Sequence, residues 1–407
     1  MLHYRKIAVV AVAAIGLSAT AAYADDTITL GAAVSLTGKY STNGKNTQDG
    51  YELAVKQINS KGGVKVGDKT YKIAVKYYDD ESTPARGVEL AERLIQQDGI
   101  KLVLGPYSSG MTKAIAPVTE KYKAPMVEAN GAARELFTKD YKYLFAVLNT
   151  SDQYLSSAID LAAEKAEALG KKPSELTLAM AFENDPFSQD VRAGVVDEAK
   201  KYGIKVVIDD QLPKELNDMS ATLTKVKALK PDILVVSGHA KGAATAVQQI
   251  GEQKVYVPIV AMTHCDSAKV AEKFGKAAEY ILCAAQWDVT LTYKDDLFGD
   301  SANFAKMFKA AYDYDPPYQA AESAAAVQVY ADAITRAGSL DSDKVRDALA
   351  TTDIKSFYGP IKFDATGKNI AKGMVLTQVQ GGKYVLVAPS KWAAAPAVIP
   401  APGWDKR

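Results

Sequence analysis

Cysteine and histidine are almost missing from this chain: of 407 residues, two are cysteine (Cys265 and Cys283) and three are histidine. So few exclude a disulfide-stapled miniature fold and a cysteine-rich metal module. An excess of charge of one sign is also missing, with 49 basic side chains against 48 acidic ones. That balance leaves no electrostatic footprint for nucleic acid or for an anionic membrane surface. Beyond residue 24 no run is long and apolar enough to cross a bilayer, so no membrane insertion is expected. A nucleophile elbow of the form G-x-S-x-G is absent too, and "GPYSSG" lacks its spacing. With no nucleophile–base pair in view, the chain reads as a binding protein rather than an enzyme, and no cofactor is expected.

What is present begins with an export signal. Arg5 and Lys6 precede an apolar stretch from Ile7 to Leu17, and Ala22-Tyr23-Ala24 supplies the small-x-small pattern of a cleavage site before Asp25. No cysteine follows that site, so no lipid anchor is expected. Setting Arg5 and Lys6 aside leaves 47 basic against 48 acidic side chains. The remaining 383 residues of the 407 exceed what one core supports, which predicts two lobes. Export permits a bridge between Cys265 and Cys283, and a chain of this size needs none; both states stay open.

Short β-branched runs then alternate with helical patterns. "ITLGAAVS", "YKIAVKYYDD", "KLVLG" and "PMVEA" each precede a helical segment; from Ser151 the rhythm restarts with "SDQYLSSAIDLAAEKAEALG". It continues through "LTLAMAF", "IKVVID", "DILVVSG" and "VPIVAM". Nearly continuous apolar strands between helices predict parallel sheets covered on both faces. The two series, 27–147 and 151–288, predict an α/β protein of two doubly wound, Rossmann-like lobes. Lobe 1 is assigned to 25–147 plus 289–373 and lobe 2 to 148–288 plus 374–390. The Pro/Ala-rich tail, 391–407, reads as a strap or a loose terminus.

Ligands of open α/β sheets bind beyond the carboxyl ends of the strands. At one such end Ser108 and Ser109 open a helix, whose free N–H groups and partial positive charge suit an anion. At the next, "PMVEA" runs into Asn130-Gly131-Ala132, and the two ends together suit one carboxylate. The competing reading makes Ser108, Ser109 and Asn130 plain N-caps. On the second sheet, Phe187, His239 and His264 each follow a strand and fall on the same rim. His239, His264, Cys265 and Asp266 match no metal spacing, so no metal is assigned.

Four stretches carry a family resemblance: "ITLGAAVSLTGKYSTNGKNTQDGYELAVKQINSKGGV", "YDDESTPARGVELAERLI", "VLGPYSSGMTKAIAPVTEKYKAPMVEANGA" and "FYGPIKFDATGKNI". The chain resembles the substrate-binding proteins of branched-chain amino acid (Leu/Ile/Val-type) ABC importers over essentially its whole length after the signal. The resemblance implies a type I periplasmic binding fold: two lobes joined by three crossover strands, closing on a ligand in the cleft. It also implies a monomer in the periplasm that delivers its ligand to permease subunits; a sensor that docks a chemoreceptor is the alternative. Residue by residue, it implies ligand contacts at Tyr40 and Asn43, Ser108 and Ser109, Asn130, Gly131 and Ala132, Phe187, His239, and Thr263 or His264.

Family members that bind amino acids usually place an acid where this chain has Thr263 or His264. That departure turns the expected ligand, a small carboxylate, towards an amine-free acid such as a benzoate or phenylpropenoate, with a leucine-like amino acid as the alternative. Glu183, Asp185 or Asp266 would serve the amine if their loops folded inward.

Overall fold

The structure, a computed structural model, describes residues 27–407. The signal segment and its cleavage before Asp25 lie outside the described residues. Six strands form the first sheet: β1 (Thr27–Val34), β2 (Val64–Val66), β3 (Lys69–Asp79), β4 (Val103–Leu104), β5 (Met126–Glu128) and β6 (Leu144–Ala146). Their order is β2-β3-β1-β4-β5-β6, parallel throughout except for the β2 edge. Helices α1 (Ser41–Ser60), α2 (Pro84–Gln96) and α3 (Ser109–Lys121) make the crossovers. The strand order reverses between β1 and β4, so the loops after those strands open onto a crevice.

The second lobe repeats the plan. Strands β7 (Thr177–Glu183), β8 (Lys205–Leu212), β9 (Ile233–Ser237), β10 (Ile259–Met262) and β11 (Leu282–Ala285) alternate with α4 (Ser156–Glu164), α5 (Pro186–Tyr202), α6 (Ser220–Leu229), α7 (Ala240–Glu252), α8 (Cys265–Ala268) and α9 (Val270–Phe274). The sheet order, β8-β7-β9-β10-β11, reverses between β7 and β9 and places its crevice at Glu183 and His239. The chain then returns to lobe 1 through two short ribbons, β12 (Lys294–Asp295) with β13 (Gly299–Asp300) and β14 (Asp353–Ser356) with β15 (Gly359–Lys362). Between the ribbons lie α10 (Ser301–Tyr312), α11 (Tyr318–Ala337) and α12 (Ser342–Ala350). Finally β16 (Val375–Gln380) and β17 (Lys383–Ala388) extend the second sheet in antiparallel sense.

Buried α11 lies along α1. The approach is close because α1 carries Gly50, where a Cβ would collide with the Ala320 carbonyl oxygen. The three interlobe passages are knotted together by buried side chains. Asn149 N–H donates to Gln286 Oε1 at 3.1 Å, and Gln286 Nε2 returns a bond to the Asn149 carbonyl at 3.0 Å. Asn149 Nδ2 donates to the Lys372 carbonyl, and Lys372 Nζ donates to that of Gln286. Tied to one another by these bonds, the crossings form a compact hinge.

Two helices expected from the sequence come out differently. "SDQYLSSAIDLAAEKAEALG" breaks into a turn of 3-10 helix at Ser151–Gln153, α4, and another 3-10 turn at Ala166–Leu169. "GAARELF" yields only the 3-10 turn Arg134–Thr138. The cause is tertiary. Asp190 accepts from Ser151 Oγ, Arg134 N–H and Arg134 Nε, and Ser151 N–H is drawn to the Ala132 carbonyl. The tail is a strap: Trp404 Nε1 donates to the Val255 carbonyl and Ala401 N–H to that of Pro258. Cys265 and Cys283 are bridged, tying the start of α8 to β11. Among the described residues no helix is long and apolar enough to cross a membrane.

Candidate ligand cleft

Lobe 1 contributes the end of β4. Gly105 lets the chain turn tightly over β5, since a Cβ there would lie 2.8 Å from the Glu128 Cα. Ser108 then occupies the N-cap position of α3 in extended conformation, yet its Oγ caps nothing and has no hydrogen-bond partner although it is buried. The Ser109 hydroxyl is committed instead, accepting from the N–H groups of Ala132 and Ala133 at 3.0 and 3.1 Å. It thereby anchors the small turn Asn130-Gly131-Ala132 against the α3 start. Asn130 donates to Ser323 Oγ at 3.1 Å and keeps Oδ1 free. Beneath the turn, Glu128 accepts from Asn130 N–H and from Thr112 Oγ1, and burial pushes its carboxyl up to about 8. Asn43, in the first turn of α1, is buried with Nδ2 unpartnered; it does not line the cleft void.

Lobe 2 answers with rings. Asp185 caps α5 by accepting from Phe187 N–H and Ser188 N–H at 2.9 and 3.2 Å. Phe187 stands 5.7 Å from the His239 ring and 5.2 Å from His264. Tyr40, from lobe 1, meets the edge of His239 at 4.7 Å. Thr263 is turned from the void and locks β10 to β9 by donating to the Gly238 carbonyl at 2.8 Å. His264 holds a left-handed backbone, φ 60°, which swings its ring inward.

Tyr107 joins the lobes. Its hydroxyl lies 2.7 Å from His239 Nδ1 and 2.9 Å from His264 Nε2. The proton order follows from the charges. Burial lowers His239, but Asp185, 3.5 Å from Nε2, outweighs it and raises the imidazole, so His239 is the charged member. Burial and then the His239 charge push His264 down to about 3, so that ring is neutral. His239 Nδ1–H therefore donates to the phenol oxygen, the phenol O–H donates to His264 Nε2, and His264 Nδ1–H is left as a donor without a partner.

The closed cleft leaves a void of only about 10 Å³, so its two walls all but meet. Lobe 1 lines it with Tyr107, Ser108, Ser109, Asn130 and the α11 residues Tyr318, Gln319 and Glu322; Tyr154, Phe187, His239 and His264 close the other side. Tyr107, Tyr154, Tyr318, Gln319 and Glu322 escaped the sequence reading. Two signals were there: Tyr107 precedes the two serines directly, and Gln319 and Glu322 are polar residues three apart in an alanine-rich helix, hence on one face. Asp266 is oriented elsewhere. It accepts from Tyr318 N–H at 2.9 Å, docks on the start of α11 and faces an outer groove of about 810 Å³.

Glu183, Asp185 and His239 bring ligand atoms within 4.8 Å of one another. Their charges balance without a cation: Asp185 is held below the usual carboxylate range beside His239, while burial pushes Glu183 up to about 7. The set His239, His264, Cys265 and Asp266 does not converge, because Cys265 is spent in the disulfide and Asp266 turns to α11.

A family model described as "Periplasmic binding protein" matches residues 27–383. The chain is 25% identical over 387 residues to a protein of Brucella abortus named Leu/Ile/Val-binding protein homolog 8, covering 92% of this chain and 93% of that one. Among solved structures, it superposes with a TM-score of 0.77 on the branched-chain amino acid transporter substrate-binding protein LivJ of Streptococcus pneumoniae in complex with isoleucine, at 23% identity over 89% of this chain and 100% of that one. An ABC transporter solute-binding protein of R. palustris in complex with benzoate gives a TM-score of 0.75 at 22% identity, over 92% of this chain and 98% of that one.

Proposed function

This chain belongs to the periplasmic binding protein family, and from that premise we propose that it captures an amine-free aromatic acid between its lobes and delivers it to the permease of an ABC importer. One observation carries the choice of ligand: every unpartnered polar atom around the void sits on a side chain suited to a carboxylate or a neutral group. These are Ser108 Oγ, Asn130 Oδ1, the Gln319 amide, His239 Nε2 and His264 Nδ1. A buried ammonium would need a counter-charge. Asp266 is spent on α11, Glu128 is spent under the Asn130 turn, and burial pushes Glu322 well above the usual carboxylate range. A carboxylate, in contrast, finds the α3 N-terminus, the Ser108 hydroxyl and the His264 N–H. A ring finds Phe187, Tyr154 and Tyr318.

Delivery follows from closure, because the lobes meet through Tyr107 and the histidines and present a combined outer face only when shut. The names of the Leu/Ile/Val-binding relatives favour a second ligand, a leucine-like amino acid, for which Glu322 would have to ionise. Calorimetry with leucine, phenylalanine, benzoate and a hydroxycinnamate separates the two. The aromatic acids should bind, and tight leucine binding without any of the acids would defeat the proposal.

A further inference from the structure

Gln319 is the one side chain around the void with two unpartnered buried polar atoms. It is 1% exposed, it lines the void, and neither Oε1 nor Nε2 has a hydrogen-bond partner. A primary amide has two donors and an acceptor, and leaving all of them unmade in a buried site is among the costliest polar defects a fold can carry. One helical turn on, Glu322 is equally buried and lines the same void; its one hydrogen bond is accepted from the Tyr358 hydroxyl at 3.3 Å. Ser323, the next residue, holds Asn130, so this face of α11 is fixed against the turn that adjoins Ser108. The carboxylate proposed above is served by the α3 N-terminus, the Ser108 hydroxyl and His264 Nδ1–H, and leaves the Gln319 amide unused.

We propose that this face of α11 is a second polar subsite, in which Gln319 and Glu322 hydrogen-bond a hydroxyl that the aromatic acid carries in addition to its carboxylate. This rests on the reading of the cleft as an aromatic-acid site. The second group is uncharged by elimination. A second carboxylate would bury a further negative charge that only the Gln319 amide and the Glu322 carboxyl could hydrogen-bond. An ammonium would meet the Lys372 Nζ, which lies 4.4 Å over the Tyr358 ring that touches Glu322. A hydroxyl donates to one amide or carboxyl oxygen and accepts from the amide N–H₂, which matches the groups left over.

The test is calorimetry on the full chain with matched pairs: benzoate against 3- and 4-hydroxybenzoate, and cinnamate against 4-hydroxycinnamate. In the native protein at least one hydroxylated member should bind tenfold or more tightly than its parent. Gln319→Met, close in shape and unable to hydrogen-bond in the same way, should shrink that advantage below threefold and strengthen binding of the parent acid. Glu322→Gln, still neutral and polar, should keep the preference; an unchanged melting temperature certifies that both variants fold. Equal affinities within every pair, or a preference that survives Gln319→Met, overturns the subsite. If leucine outbinds every acid, the aromatic-acid reading fails separately. Gln319→Met then decides: a tenfold loss for leucine keeps a ligand-facing role for the amide, and no change ends it.

Discussion

Replacing Tyr107 by phenylalanine removes one oxygen atom, and with it the bond that spans the two lobes. The ring contacts with Tyr40 and His239, each at 5.5 Å, remain. Lost are a hydrogen bond from a charged imidazole and another to a neutral one. Net values of roughly 1.5–3 kcal/mol for the first and 0.5–1.5 for the second put the combined loss at about 2–4.5 kcal/mol. In the open state both histidines are wetted with or without the hydroxyl, so the whole loss falls on closure. Ligand affinity, which requires closure, should drop roughly 30- to 2,000-fold. Calorimetry measures it, and small-angle scattering with saturating ligand reports compaction directly. Unchanged affinity together with unchanged compaction would refute the view that Tyr107 latches the lobes, and native protein that shows no compaction at all would refute closure itself.

Ser108→Ala should cost about 1.5–3 kcal/mol of affinity for an aromatic acid, the value of a hydrogen bond to a charged oxygen. Because its Oγ caps nothing, the melting temperature should stay put, and a fall in stability with unchanged affinity would restore the N-cap role. Glu128 titrates near 8 in the fold, above its ordinary 4.5, so the unfolded chain binds fewer protons between those values. Stability is therefore lost as pH rises through that window, by on the order of 5 kcal/mol once complete. Glu128→Gln should remove this component, which is read as the difference between the pH–stability curves of variant and native protein; parallel curves would count against it. Reducing the Cys265–Cys283 bridge, which closes a separation of 18 residues, should cost about 3 kcal/mol of unfolding free energy, measured by denaturant titration with and without reductant.

The order of strands and helices was legible because parallel strands buried on both faces read as continuous apolar runs, and those runs bound their own helices. The rim was legible for the same reason: whatever follows such a strand must lie at its carboxyl end, which is where Ser108, Asn130, Phe187, His239 and His264 stand. The amino-acid sequence by itself thus determined the two lobes, the crevice and most of the side chains that face it. It left open which of those chains are spent. Ser108 and Ser109 are neighbours of one type, but tertiary contact commits Ser109 to the Ala132 turn and leaves Ser108 free. Asp266 could point either way along the chain, and the start of α11 took it. Tyr107 stands beside the serines on the same rim, whereas Gln319 and Glu322 reach the cleft only because α11 packs along α1 and lies against the Asn130 turn. Those contacts join positions more than a hundred residues apart, and periodicity, which compares a residue with its near neighbours alone, holds no information about them.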